Sequence, residues 1–126
     1  MSISGPLAQM GEAYANVEVY SADGSHSLPF RAKVDTGAYA SLLDKASISE
    51  LGLEPVDVVT LNTAAGPVPS QKYMARVVAA PIWDGRIVIV AGRPGTDQML
   101  LGRQWLSKFR FEYDGPGRRF SISRPP

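Results

Sequence analysis

At 126 residues, 44% of them apolar and 20% charged, the chain has the length and make-up of one ordinary globular domain. With 13 Lys and Arg against 12 Asp and Glu, the net charge of +1 gives no argument for nucleic acid or an acidic membrane surface. The chain has no cysteine, which removes disulfides, thiolate chemistry and cysteine-based zinc sites, and the single His26 leaves few ways to build a histidine metal site.

Met1 to Gly11 mixes Ser, Gly and Pro and reads as a flexible arm (residues 1–11) ahead of one domain (residues 12–126). It has no basic region followed by an apolar stretch, so no secretory signal is expected. Nor does any apolar run approach the roughly 20 residues that span a bilayer, and the expected setting is the cytoplasm. Ala15 to Tyr20 alternates with period two and predicts a strand with Val17 and Val19 inward. Asp23-Gly24 is a hairpin signal, and Ser27 to Val34 is the return strand, with Leu28, Phe30, Ala32 and Val34 on one face. Pro29 places the start of that strand at a sheet edge.

The return strand runs into Asp35-Thr36-Gly37-Ala38. A strand that ends in this way delivers a carboxylate to the lip of a core, and a glycine there lets another backbone approach closely. Ala40 to Leu43 reads as a short strand. Asp44 to Leu51 reads as a brief helix, capped by Asp44 or by a Ser47–Glu50 capping box and closed by Gly52. Ile48, Leu51 and Leu53 are expected to pack down.

Val56 to Thr63 and Gln71 to Ala79 predict two strands joined by a tip of small and turn-forming residues, Ala64 to Ser70. Pro81 to Arg86 turns the chain, Ile87 to Val90 is a buried strand, and Ala91 to Asp97 is a loop. Met99 to Leu101 reads as a strand meeting Gly102, and Gln104 to Phe109 as a helical turn or two with Trp105, Leu106 and Phe109 facing the core. Phe109 to Tyr113 and Arg118 to Ser123 form a closing hairpin. The predicted class is all-β, a closed or partly open barrel with one or two short helices.

The stretch Asp35-Thr36-Gly37-Ala38 resembles the signature of the retropepsin-like aspartic proteases. An Asp-Thr-Gly arises by composition in a few per cent of chains of this length, on the order of magnitude. A second element strengthens the likeness: Leu100-Leu101-Gly102-Arg103 resembles the apolar-apolar-Gly-Arg strand that in this family passes beneath the catalytic turn. Order and spacing agree from about Val17 to Ile122. The resemblance implies a retropepsin-like barrel in which Asp35, Thr36 and Gly37 are catalytic. The hairpin is then a flap whose tip, Thr63, Ala64, Ala65, Gly66, Pro67 and Val68, meets substrate together with Ala38 and Tyr39. Leu100, Leu101, Gly102 and Arg103 support the site, and Ile82 and Val90 are topological guesses for an apolar cleft.

The chain departs from the viral pattern in one respect. Where retroviral members carry an acidic residue that pairs with the family arginine, this chain has Tyr39. Arg103 must then pair elsewhere, with Asp44, Glu112 or Asp114, or act through its stem, and Tyr39 either lines a subsite or packs.

Peptide hydrolysis in this class needs two carboxyls, and the chain carries a single Asp-Thr-Gly. The resemblance therefore implies a homodimer acting on a peptide or protein, with Asp35 of each copy at the two-fold and Thr36 bonding across it, and with no metal or other cofactor. Ala38 offers the carboxylate no hydroxyl donor, which implies activity at mildly acidic pH. A second reading is a catalytically degenerate module of the same fold that dimerises or binds an extended peptide. A third, an oligonucleotide-binding barrel, lacks the basic, aromatic-studded groove it needs.

Overall fold

A computed structural model describes residues 1–92 and 97–125. The expected Ala91–Asp97 loop therefore falls largely outside the described residues. Among the described residues, ten strands and two short helices follow in the order β1 (Ser2–Pro6), β2 (Ala13–Tyr20), β3 (Ser27–Val34), β4 (Ser41–Leu43), α1 (Lys45–Leu51), β5 (Glu54–Thr63), β6 (Gly66–Ala79), β7 (Trp83–Ala91), β8 (Met99–Leu101), α2 (Arg103–Leu106), β9 (Arg110–Asp114) and β10 (Arg119–Ser123). The main sheet runs β2-β3-β8-β4-β7-β6-β5, and β2 also pairs with β6. Six strands thus close into a barrel, and β5 is left as an outer edge.

Alternation explains the wall of this barrel. Ala13, Ala15, Val17 and Val19 of β2 and Phe30, Ala32 and Val34 of β3 are buried, while the residues between them face outward. The two strands pair from Ala13 opposite Val34 to Tyr20 opposite Ser27. Pro29 sits where β3 has β2 as its neighbour, because β8 reaches only Lys33 and Val34. At this end of β3 only one flank carries a ladder, the setting in which a strand tolerates proline. Val34 lies parallel to Leu101, and Leu42 of β4 lies antiparallel to Leu100, so β8 is wedged between the strand before Asp35 and the strand after it.

Further core residues come from α1 (Ile48, Leu51), β6 (Ala75, Val77, Ala79), β7 (Ile87, Ile89), β10 (Phe120, Ile122) and α2. Trp105 is fully buried, 4.6 Å in ring centroid from Phe109 and edge-on to Trp83 at 6.4 Å. Gly52 ends α1 in the left-handed conformation at φ 60°, as a helix C-terminus favours. The start of α1 differs from expectation. Asp44 occupies the N-cap position without a side-chain capping bond, and Ser47 is buried inside the helix, so no capping box forms.

Two further readings are corrected by the fold. Ser2–Pro6, read as part of a loose arm, is a strand that pairs with β10 from Ser2 opposite Ser123 to Pro6 opposite Arg119. Its composition concealed this, because Ile3 alone supplies an apolar side chain to the packing. Arg118 fastens the next segment by donating from Nη2 to the Ala8 carbonyl at 2.8 Å, and Tyr113 donates its hydroxyl proton to the Gly11 carbonyl at 2.9 Å. The second correction concerns the long hairpin, whose turn is only Ala64-Ala65, while Gly66 to Ser70 belong to β6. Pro67 and Pro69 are tolerated there because β7 meets β6 only from Lys72 onward, which leaves one side of this stretch without a neighbouring strand.

Candidate active site

The Asp35 turn begins where β3 ends and is held from below by residues 101 to 104. The Asp35 N–H donates to the Leu101 carbonyl at 3.0 Å. Arg103 and Gln104 donate their N–H groups to the carbonyls of Ala38 (2.8 Å) and Tyr39 (2.9 Å). The first N–H groups of any helix have no partner inside it, so α2 uses its own unpaired donors to clamp the turn. Gly102 sits at the tightest point, where a Cβ would collide with the carbonyl oxygens of Tyr39 and Ala40. Its N–H donates to the hydroxyl of Ser41 at 3.1 Å.

Within the turn, Gly37 donates its N–H to Asp35 Oδ1 at 2.8 Å, and the Ala38 N–H reaches the Asp35 carbonyl at 3.3 Å. The first bond fixes the rotation of the carboxylate, and a Cβ on Gly37 would stand 3.1 Å from that same oxygen. Asp35 is half-buried and Thr36 and Gly37 are exposed, so the carboxylate stands at the surface of this chain rather than in its core. Among the described residues the Thr36 hydroxyl has no hydrogen-bond partner.

Arg103 Nη1 donates to the Thr36 carbonyl at 2.9 Å. This corrects the expected ion pair. Among the described residues the sole salt bridge joins Arg76 to Asp84, and Asp44, Glu112 and Asp114 do not take Arg103. With Tyr39 in place of a carboxylate, the guanidinium takes a backbone acceptor instead. Tyr39 itself is 67% exposed, so it does not pack in the single chain.

The structure thus brings Asp35 to Tyr39 together with Leu100 to Arg103. It keeps the hairpin tip as a separate unit, in which Thr63 Oγ1 donates to the Gly66 carbonyl at 2.7 Å and accepts the Ala65 N–H at 3.2 Å. Thr63, Ala64, Ala65, Pro67 and Val68 are exposed and Gly66 is half-buried. Ile82 and Val90, expected beside a cleft, are buried core residues. Ser41 is the supporting residue that sequence reasoning missed. Its one signal was a hydroxyl in front of two leucines at a position that proved to be fully buried. Among the described residues no cluster of His, Asp and Glu has the grouping of a metal site. No helix among them is long and apolar enough to cross a membrane.

Residues 23–108 match the family model described as "gag-polyprotein putative aspartyl protease". The curated proteins hold no match to this chain. Among solved structures, the fold is similar to a retropepsin-like aspartic protease from Rickettsia conorii, with a TM-score of 0.67 and 21% identity over 97% of this chain and 90% of that one. It is also similar to EIAV protease in complex with the inhibitor HBY-793, with a TM-score of 0.56 and 16% identity over 82% and 92% of the two chains. The Simian Foamy Virus (mac) protease gives 0.54 and 18% over 76% and 97%. These structural likenesses speak for the fold. The family model covers most of the chain and runs through both the Asp35 turn and the strand that supports it, and the chain belongs to the retropepsin-like aspartic proteases.

Proposed function

We propose that the protein is an aspartic endopeptidase, active as a homodimer that brings two Asp35 carboxyls together at its two-fold axis. The observation that carries this reading is the Asp35 carboxylate itself. It is fixed by the Gly37 N–H and presented at the surface of a turn that residues 101 to 104 hold rigid. A lone surface carboxylate has no need of so many backbone bonds around it, and half of a catalytic pair does. Geometry of this kind is what allows positioned groups to act without reorganising during reaction.

The chemistry follows from the pairing. Two carboxyls about 3 Å apart cannot both ionise, so the pair holds one proton between them. The ionised member takes a proton from a water molecule as that water attacks the scissile carbonyl. The protonated member gives its proton to the carbonyl oxygen, and the resulting tetrahedral diol collapses with proton transfer to the leaving amine. Thr36, exposed and with its hydroxyl unengaged in one chain, bonds across the axis to the opposite turn. The β5–β6 hairpin acts as the flap, since in its outer half, from Gly66 to Gln71, no third strand restrains it. An extended peptide lies between its tip, Thr63 to Val68, and the turn at Ala38 and Tyr39. The absence of a hydroxyl at Ala38 places the working range at mildly acidic pH.

The test is cleavage of a diverse peptide library, read by mass spectrometry from about pH 2 to 7 across a range of protein concentrations, with Asp35→Asn as control. Cleavage that rises faster than linearly with concentration and disappears in the variant supports a dimeric aspartic protease. A chain that dimerises without cleaving anything is instead a peptide-binding module of this fold. Cleavage that survives Asp35→Asn removes the turn from the mechanism, and a rate profile peaking below about pH 3 removes the argument from Ala38.

A further inference from the structure

Beside the Asp35 turn, the outer face of the barrel wall carries a lysine with no ionic partner among the described residues. Along β3, Phe30, Ala32 and Val34 turn into the core, while Arg31 and Lys33 turn away from it. The Asp35 N–H reaches the Leu101 carbonyl, so the ladder, and with it the alternation, continues as far as Asp35. Lys33 therefore leaves the strand on the same face as Asp35, about 7 Å before it. We infer that Lys33 sets the substrate class of the proposed protease, selecting peptides with an acidic side chain, glutamate above all, next to the scissile bond.

The surroundings of Lys33 fit this role. In the ladder it lies opposite Tyr14 on one side and beside Leu100 on the other, and Leu42 stands opposite Leu100. Val34, Leu101 and Leu43, the next residues along these strands, face the core, so Leu100 and Leu42 share the outer face with Lys33. A substrate side chain entering beside Asp35 thus meets two leucines and one ammonium group. Glutamate answers both, with a methylene stem for the leucines and a carboxylate for Nζ.

The other charges on this face are already engaged. The Arg31 guanidinium lies over the Tyr14 ring, 3.7 Å from its centroid, and the Tyr14 hydroxyl donates to Asp97 Oδ1 at 3.2 Å. Neither Asp97 nor Asp35 forms a salt bridge with Lys33. Lys33 is half-buried, and a cation held against an apolar wall attracts an anion more strongly than one surrounded by water.

This inference rests on the dimeric reading of the site. A two-fold between the two Asp35 carboxyls sets one Lys33 on each side of the pair, so the residues before and after the scissile bond each pass a lysine. A neutral side chain in the same place covers the ammonium group without pairing it, and that difference is the source of discrimination.

The experiment uses the full-length protein at about pH 6, where a glutamate side chain, which titrates near about 4.3, is ionised. Peptides cleaved from the library supply the sequence frame, and matched versions carry Glu, Gln or Lys at each flanking position in turn. Wild type cleaves the Glu peptide about tenfold or more faster than the Gln peptide, in kcat/KM. Lys33→Met brings the two rates to within about twofold of each other, and Lys33→Glu favours the Lys peptide over the Glu peptide. Arg31→Met, which removes a charge further along the same face, keeps the wild-type ratio. Each ratio is taken within one protein, so a loss of folded material cancels. If cleavage depends on Asp35 but wild type treats Glu and Gln alike, the role of Lys33 is overturned and the protease reading stands. The same holds if Arg31→Met lowers the ratio as far as Lys33→Met. Cleavage of no peptide at all, or cleavage that survives Asp35→Asn, overturns both.

Discussion

The Gly102 N–H donates to the hydroxyl of Ser41, 61 positions earlier in the chain, at 3.1 Å and out of contact with solvent. This bond ties the strand that enters α2 to the strand that leaves the Asp35 turn. It explains a fully buried hydroxyl in an otherwise apolar triplet, since the serine accepts from a backbone N–H that has no backbone acceptor among the described residues. Ser41→Ala leaves that N–H buried and unpaired, which costs about 1–3 kcal/mol. Urea unfolding of the variant measures the loss directly, and a change below about 0.5 kcal/mol would mean that the N–H finds another acceptor.

Gly102→Ala tests the crossing from the other side. At φ −91° the residue has an ordinary conformation, so its backbone needs no glycine. The requirement is space, because a methyl there meets the carbonyls of Tyr39 and Ala40, and backbone cannot rotate away as a side chain can. Overpacking of this kind costs about 1–3 kcal/mol. The displaced atoms belong to the turn that carries Asp35, so peptide cleavage should fall by far more than the loss in folded fraction. Equal losses in both would show that the barrel absorbs the methyl elsewhere.

Arg103→Lys should divide the effects differently. The guanidinium is exposed and donates to the Thr36 carbonyl, so its net contribution to stability is under about 1 kcal/mol. A lysine keeps the charge but not the rigid fork that lies along the turn. The melting temperature should move little while cleavage drops several-fold, and an unchanged cleavage rate would assign Arg103 to solubility alone.

The barrel was legible because its strands follow simple rules. Alternation at Val17, Val19, Phe30, Ala32 and Val34 has one physical solution, a wall with one wet face, and the burial of these residues is what the pattern requires. The paired signatures at Asp35 and Gly102 were legible because each needs a rare combination of small and polar residues inside apolar runs. Other features were hidden. β1 has almost no pattern of its own and forms because β10 and Arg118 hold it. The helix cap at Asp44 looked like a side-chain cap because the residue type is right, although the geometry does not use it. The partner of Arg103 could not be read because it is a backbone carbonyl, and every residue carries one.

Asp23 offers a test of folding that leaves the Asp35 turn untouched. Hydrogen bonds from Ser25 above all, through its hydroxyl and its backbone N–H, and then from the Ser21 hydroxyl, hold this carboxyl down to about 2. Unfolded aspartate titrates near 3.9, so the folded state keeps Asp23 ionised where the unfolded chain takes up a proton. The stabilisation is complete above about pH 4 and is lost as the pH falls toward 2. Asp23→Asn has no such proton to bind. The variant should be less stable than wild type at pH 5, and the gap should close as the pH is lowered to 2. Urea midpoints at pH 5, 3 and 2 give the comparison. A gap that stays constant over that range would mean that the turn is held by the shape of the Asp23 side chain rather than by its charge. Asp23 lies before β3 and Asp35 after it, so about 25 Å of strand separates them, and peptide cleavage per folded molecule should be the same in both proteins.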